Sequence, residues 1–473
     1  MKKKLAINAM YQVSFQLLKV ILPLVTIPIV AHALGAQGLG RYNFINSIAT
    51  YFILLMSIGT SEYSIRSIAL VRESRVKRSK VFWEIECLNI LLGFIVLLFY
   101  CLLVTQVQDK LYYAIVGITV MSAAIDVNWF FAGMEEFKWI TSISMIIKLI
   151  AFVAIVLLIH QPSDLKTYFL IQSMAIFLPN LLVWRKIFQY VQFTKIDLRT
   201  SWQHWTFSIQ YFFGNAAINL YTNLNKTLLG IFVTQVAVGI YTSATQLMSI
   251  FIIMADAIDT VLLPRMTHLY SQKNSDKSLR IMEEVINIQL FLSVAAMFGL
   301  MSICGNFIPW FYGNDFLILE KIIPIIAPVV ILIPLGTSLA CQYLLPQNRV
   351  GEFNKSVMIP AVISVGLNFV LIPRIGIMGA VLASIIAELV VVFLRLSLIY
   401  RETSFRLDLI KIGKYILSGL VMYLVIQTTT SNLAAVAGTT ILQVFVGIIS
   451  YFLTTQLLGV NPCVQLLKKL LAK

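Results

Sequence analysis

Fourteen stretches of this chain run for about twenty residues or more with almost no charge, and that pattern leaves few folds open. They cover residues 6–34, 44–70, 83–105, 111–132, 139–160, 166–189, 205–233, 236–263, 284–311, 320–345, 356–373, 377–400, 411–428 and 433–458. About twenty mostly apolar residues is the length a helix needs to cross the hydrocarbon of a bilayer. Apolar residues make up 59% of the 473 and charged residues 12%, with a mean hydropathy of +0.87. Soluble chains hold about 45–50% and about 25%. A surplus of that size, spread along the whole chain, is stable only in lipid. The chain is therefore expected to be an all-α polytopic membrane protein with about 14 transmembrane helices.

The opening MKKKLAINAMYQ imitates a secretory signal, with Ala31, His32 and Ala33 resembling a cleavage site. The stretch from Ala6 to Leu34 is too long for a signal core, however, and Gln12, Gln16 and Lys19 interrupt it, so it reads as a retained first helix. Counting Lys and Arg in alternate loops gives the orientation. One set holds Lys2 to Lys4, the VRESRVKRSK loop, Lys138, the later basic loops and the C-terminal lysines, 26 cations in all. The opposite set holds Arg41, Lys110, Lys166, Lys321 and Arg374, which is 5. Cations gather on the cytoplasmic side, so both termini are expected there. The net charge of +15 then reflects basic loops lying against anionic headgroups and does not call for nucleic acid as a partner.

Sliding the chain against itself by 199 residues aligns Gly40 and Tyr42 with Gly239 and Tyr241, and Arg66 with Arg265. The matches fall at equivalent topological places, and many transporters are built from two related halves. The expected division is an N-terminal six-helix bundle over residues 1–200, a second over 201–402, and two further helices with a basic tail over 403–473.

Five cations fall inside spans: Lys19, Arg66, Lys148, Lys226 and Arg395. Gln12, Gln16 and Lys19 share one face of the first helix; Asn215, Asn219, Thr222 and Lys226 share one face of the seventh. Thr141, Ser144 and Lys148 line a face of the fifth. Lipid does not solvate such stripes, so they are expected to face a wet interior. A lone cation in mid-membrane costs at least about 2.5–3.5 kcal/mol on insertion scales. Pairing of Lys19 or Lys148 with Asp126 or Glu62 is the structural alternative to an electropositive cavity. Arg66 and Arg395 lie near the cytoplasmic interface, and Arg395 is expected to snorkel there. The intramembrane acids are Glu62, Asp126, Asp256, Asp259 and Glu388. Asp126, Glu388, Asp256 and Asp259 are candidates for ion coupling, with Asp126 first because most of the others have a near cation or form a pair.

No zinc-protease, phosphate-loop, nucleophile-elbow or paired-cysteine pattern occurs, so neither an enzyme nor a metal or cofactor site is expected. The four histidines read as interfacial, and the five scattered cysteines as small core hydrophobes.

One stretch breaks the apolar rhythm: IDVNWFFAGMEEFKWI, residues 125–140. It resembles the D-x-x-W-F-F-x-G-x-E-x-F-K motif of the polysaccharide transporter family, where that motif closes the fourth helix on the cytoplasmic side. PLVTIPIVAHALGAQGLGRYNF, GTSEYSIRSIA, LLGIFVTQVAVGIYTSA and LNFVLIPRIGIMGAVLASIIAE resemble further stretches of the same family, in order, from about residue 6 to about residue 400. Relatives often carry an aspartate just before the seventh-helix lysine, where this chain has Asn225, which leaves Lys226 without that carboxylate. The resemblance implies two six-helix bundles around a central cavity, and a Trp and Phe pair of the motif at the interface. It also implies a substrate, an undecaprenyl-diphosphate-linked oligosaccharide flipped from the inner to the outer leaflet. Lys19, Lys148, Lys226 and Arg66 would then meet the diphosphate, and Gln12, Gln16, Asn215 and Asn219 the sugars. The setting would be the cytoplasmic membrane of a bacterium, beside a polysaccharide polymerase. A drug exporter of the same superfamily, a lipid II flippase and, last, a membrane polymerase are the competing readings. A polymerase would need a sizeable loop for its active site, and every outer loop here is about ten residues or fewer.

Overall fold

The structure is a computed structural model, described over residues 2–57, 62–272, 274–430 and 432–465, apart from the side chains of 2–17, 19, 20, 62, 198, 210–215, 218 and 220. Sixteen α-helices follow one another: α1 (Lys2–Met56), α2 (Glu62–Val71), α3 (Arg75–Gln106), α4 (Lys110–Ala124), α5 (Asn128–Gly133), α6 (Phe137–Leu158), α7 (Leu165–Tyr190) and α8 (Leu198–Phe232), then α9 (Gln235–Ser271), α10 (Ser275–Phe311), α11 (Leu319–Ile326), α12 (Val329–Leu339), α13 (Val350–Ile375), α14 (Ile377–Glu402), α15 (Leu409–Thr430) and α16 (Ala437–Leu457). Among the described residues there is no strand, and twelve stretches are long and apolar enough to cross a membrane. The first of the twelve, Ile21–Met56, holds two helices that meet at Gly35, whose φ of 64° a side chain would resist. With that break and the 35 residues of α8, helices occur at every position where the sequence places a span.

The chain divides into two compact units, Met1–Thr227 and Leu228–Lys473. In the first, α1 packs on α4 and α6, α4 on α3 and α7, and α6 on α7. In the second, α13 lies on α14, α15 on α16, and α10 on α12 and α15. The outward surfaces are those of a lipid-bathed protein: α3 exposes Leu91, Phe94, Leu98, Phe99 and Leu102, and α16 exposes Ile441, Phe445, Ile448, Leu453 and Leu457. Water would penalise each of those side chains, whereas hydrocarbon does not.

Two expected spans are interrupted within the described residues, each for a local reason. The fourth stops at Ala124, turns around Asp126 and resumes as α5. The tenth is divided between α11, α12 and a π-helical turn over Ala340–Leu344. Pro324, Pro328 and Pro334 remove backbone donors along it. The cysteines depart from expectation: Cys304 is buried as a core residue, but Cys101 and Cys463 are exposed.

Candidate functional site

The motif around Asp126 is built as a knot. The Asp126 carboxylate accepts a bond from the Asn128 backbone N–H at 2.8 Å, which closes the turn between α4 and α5. Asn128 in turn donates to Asn180 at 3.0 Å, and Asn180 donates to the Ser122 hydroxyl at 3.0 Å, tying α5 and α4 to α7. The Trp184 indole donates to the Ile125 carbonyl at 2.8 Å. Trp129, Phe130 and Phe131 are buried together with Phe82, Val183 and Ile187. The rings expected to face the interface turn inward instead, because α5 lies against α2 and its Trp129 and Phe130 pack on Phe82 of α3, where their large apolar area is buried. Gly133 permits that approach, since a Cβ would stand 2.7 Å from the Ile65 carbonyl oxygen. Glu135 is paired with Arg72 at 2.9 Å.

Beside the knot lie two acids that the sequence reading missed. Glu86 on α3 is fully buried, accepts from Asn89 at 3.3 Å, and stands close enough to Asp126 for the two carboxylates to interact electrostatically. Glu84, also buried, faces His204 Nε2 at 3.5 Å and Lys80 Nζ at 3.8 Å. The Tyr63 hydroxyl meets His204 Nδ1 at 2.8 Å, so α2, α3 and α8 share one polar chain. The available signal was the WEIE stretch at 83–86, where two acids enter an apolar run. Their nearness to the basic loop disguised them, and nothing in the sequence pairs Glu84 with a histidine 120 positions later.

Four of the five expected cations, Lys19, Arg66, Lys148 and Lys226, fall in the first unit. The side chains of Gln12, Gln16, Lys19, Glu62 and Asn215 lie outside those described. Lys148 is half-buried on α6, opposite the lipid-facing Ile146, Ile150 and Val153. On α8, Asn219 and Thr222 are exposed and Lys226 is half-buried, whereas Asn225 is buried and Thr227 bonds to Ser47 and Tyr51 at 2.9 Å each. One side of α8 is thus fixed to α1 and the other is polar and open. Arg66 is exposed on α2.

In the second unit Asp259 is buried and held by three side chains from three segments. Gln289 on α10 donates to Oδ2 at 3.0 Å, Ser338 on α12 donates to Oδ2 at 2.7 Å, and Gln342 on the π-helical turn donates to Oδ1 at 2.6 Å. Asp256, one turn earlier, is half-buried with Thr337 near its carboxylate. Glu388 is buried on α14. Arg395 does not snorkel as expected: it is buried, donates to Ser356 at 2.9 Å and to the Gly336 carbonyl at 2.6 Å, and lies 5.3 Å from the Phe353 ring centroid. Among the described residues no group of three or more metal-binding side chains occurs.

Buried polar groups in both units, within an all-helical membrane chain, suit a transporter. The comparisons agree. The chain is 24% identical over 415 residues to a putative O-antigen transporter of Escherichia coli, covering 84% of this chain and 97% of that one. It is 25% identical over 233 residues, 48% of either chain, to a probable low-salt glycan biosynthesis flippase of Haloferax volcanii. In fold it matches a lipid II flippase in an inward closed conformation with a TM-score of 0.71, 16% identity and coverage of 96% and 98%. A multidrug resistance transporter in an inward-facing conformation follows at 0.63, with 14% identity and coverage of 84% and 100%. The family described as polysaccharide biosynthesis protein matches residues 5–270, more than half of the chain, and this protein belongs to it.

Proposed function

We propose that this protein is a flippase that carries an undecaprenyl-diphosphate-linked oligosaccharide repeat unit from the inner to the outer leaflet by alternating access. It would serve capsule, exopolysaccharide or O-antigen synthesis. The observation that carries the reading is the family match, joined to likeness over nearly the whole of the relative named as a putative O-antigen transporter. The physical chemistry fits such a cargo: a diphosphate calls for cations, a sugar chain for amide and hydroxyl partners, and the lipid tail can stay in the bilayer. Lys19, Lys148, Lys226 and Arg66 are the cations assigned to the diphosphate, and all four belong to the first unit. Gln12, Gln16, Asn215 and Asn219 are assigned to the sugars. The protein acts as a transporter without catalysis, in the cytoplasmic membrane of a bacterium with both termini inside, and hands its cargo to a polysaccharide polymerase.

A drug exporter is the second reading, favoured by the fold shared with a multidrug resistance transporter. The decisive experiment reconstitutes the purified chain in liposomes with a labelled undecaprenyl-diphosphate oligosaccharide and follows its appearance on the far leaflet. Transfer should be fast for the wild type and fall at least about tenfold in the Lys19→Ala, Lys148→Ala double variant. Lys19→Arg should keep a good part of it, because either cation holds a phosphate. Unchanged transfer by a well-folded double variant would end the cationic assignment, and export of cationic dyes without lipid transfer would favour the exporter.

A further inference from the structure

The second unit carries a cavity among its basic loops. About 270 Å³ in volume, it lies between the first half of α10, the connector from α14 to α15 and the start of α15, with Gln465 at its edge. Pockets for drug-sized ligands run to roughly 300–1,000 Å³, so this one suits a headgroup-sized occupant. Its walls are firmly held. Ile286, Leu290 and Phe405 line it and are buried. Tyr415 of α15 meets the Asn287 side chain of α10 at 2.9 Å and the Val460 carbonyl at 3.1 Å. The same tyrosine packs edge-on against Phe291 with ring centroids 5.7 Å apart, which fixes α15 on α10.

Both signs of charge line the cavity. α10 brings Arg280, Glu283 and Glu284, and the facing side brings Arg406, Asp408 and Lys411. Asp408 and Lys411 answer each other at 3.2 Å, and the Asp408 carboxylate also accepts the Lys411 backbone N–H at 3.0 Å. Arg406 is fixed along one edge. Its Nη1 donates to the Thr403 and Phe405 carbonyls at 2.9 and 2.6 Å, and its guanidinium lies 4.8 Å from the Tyr400 ring centroid. Among the described residues its Nε and Nη2 have no partner, nor do the side chains of Arg280 and Glu283. Two guanidiniums and a carboxylate thus border one small cavity without pairing across it. An occupant has to answer both signs. A phosphate suits the arginines, because a guanidinium gives such a group two parallel bonds. A purely anionic ligand would set its charge against Glu283, and a simple cation would meet Arg280 and Arg406. Arg280 and Glu283 stand at i and i+3, side by side on α10, so the two ligand charges must be only a few atoms apart. An ethanolamine phosphate ester has that spacing, with two carbons between its ester oxygen and its ammonium. The ammonium N–H groups can donate to Glu283. A quaternary ammonium has none and prefers an aromatic cage, whereas the aromatic residue lining this cavity is Phe405 alone.

We propose that this cavity binds a phosphoethanolamine group, with Arg280 and Arg406 on its phosphate and Glu283 on its ammonium. Leu409 and Ile410, next to Asp408, expose apolar side chains that hydrocarbon would cover, which favours a lipid as the bearer of that group. The connector belongs to the basic loops expected at the cytoplasmic face, so the lipid would be one of the inner leaflet. The site does not depend on the flippase reading.

The test uses the purified full-length chain in detergent and radiolabelled phosphatidylethanolamine. Wild type should bind it saturably, and unlabelled phosphatidylethanolamine should displace it at least about tenfold better than phosphatidylglycerol or phosphatidylcholine. Glu283→Gln, at an exposed position, should lose most of the preference over phosphatidylglycerol while the protein still elutes as a folded species. Arg406→Ala should weaken binding of both lipids at least about tenfold, and Arg280→Ala serves in its place where the connector is disturbed. Arg374→Ala removes an exposed arginine that does not line the cavity and should change neither. Soluble glycerophosphoethanolamine is the further competitor. Displacement at the lipid's own concentration would support the site with a free ester as its ligand, and displacement by the lipid alone would support it with a bilayer ligand. Absence of saturable binding, equal displacement by phosphatidylglycerol in the wild type, or a preference unchanged in folded Glu283→Gln would each overturn the site. No oligosaccharide is present, so a failed flippase reading would leave this result standing.

Discussion

Asp126 and Asp259 look alike in the sequence, each an acid in the last part of a long apolar run, but their surroundings differ in kind. Asp126 accepts one backbone N–H two residues away and serves its own turn. Asp259 accepts from three side chains that arrive from 30, 79 and 83 residues further along the chain. The first is local and could be replaced by anything that closes the turn. The second is a hub, and three segments would lose their meeting point without it. Around Asp126 the stabilising free energy lies in buried aromatic area; around Asp259 it lies in hydrogen bonds to a buried charge. An acid within a span is therefore not a mechanism by itself, and what reaches it decides its role.

The largest effect that would sharpen this contrast belongs to the aromatic knot. Phe130 is fully buried and packs edge-on against Phe82 at 5.2 Å and Phe131 at 5.3 Å. Phe130→Ala removes a ring that the fixed frame of α2, α3 and α7 cannot replace, and should cost about 3–5 kcal/mol. Equilibrium unfolding of the purified chain would show it. A cost under about 1 kcal/mol would mean that the knot is not what holds α5 in place.

A smaller loss is expected at the hub. Asp259→Ala takes away the acceptor of the Gln342 amide, whereas Gln289 keeps the Ala255 carbonyl and Ser338 keeps Gln289. One stranded buried donor and the loss of a shared partner should cost about 2–3 kcal/mol. Ser338→Ala, tested alone, removes one donor and should cost about 1 kcal/mol. If the two changes cost the same, Asp259 is not the centre of the cluster.

Much of this fold could be read from spacing alone. The run lengths placed the spans, and breaks such as the one at Gly35 fall between them. On α8 the helical interval of Asn219, Thr222 and Lys226 puts them on one side, where Asn219 and Thr222 are exposed and Lys226 is half-buried. What was hidden is whatever depends on distance along the chain. His204 reaches Glu84 only because α8 lies beside α3, and no periodicity announces that. Arg395 looked like an interfacial cation because a position near a helix end says nothing about a serine on α13 and a carbonyl on α12. That the aromatic residues of the motif turn inward was hidden for the same reason: a Trp facing headgroups and a buried one have the same local sequence.

The smallest effect is the sharpest test of the comparison. In Asp126→Asn the side-chain oxygen remains, and asparagine closes the same kind of turn as aspartate. The Asn128 N–H should keep its acceptor, and the change also removes a carboxylate that acts on the buried Glu86. Relief of that repulsion and loss of a charge-assisted bond oppose one another, so the net change should stay within about 0.5 kcal/mol. Asp126→Ala, which removes the acceptor, should cost about 1 kcal/mol. Unfolding measured for the pair separates the roles: a turn residue tolerates asparagine and not alanine, whereas a charged site tolerates neither. If Asp126→Asn proves as damaging as Asp126→Ala, the charge matters in its own right, and Asp126 with Glu86 would stand beside Asp259 as a second acid centre.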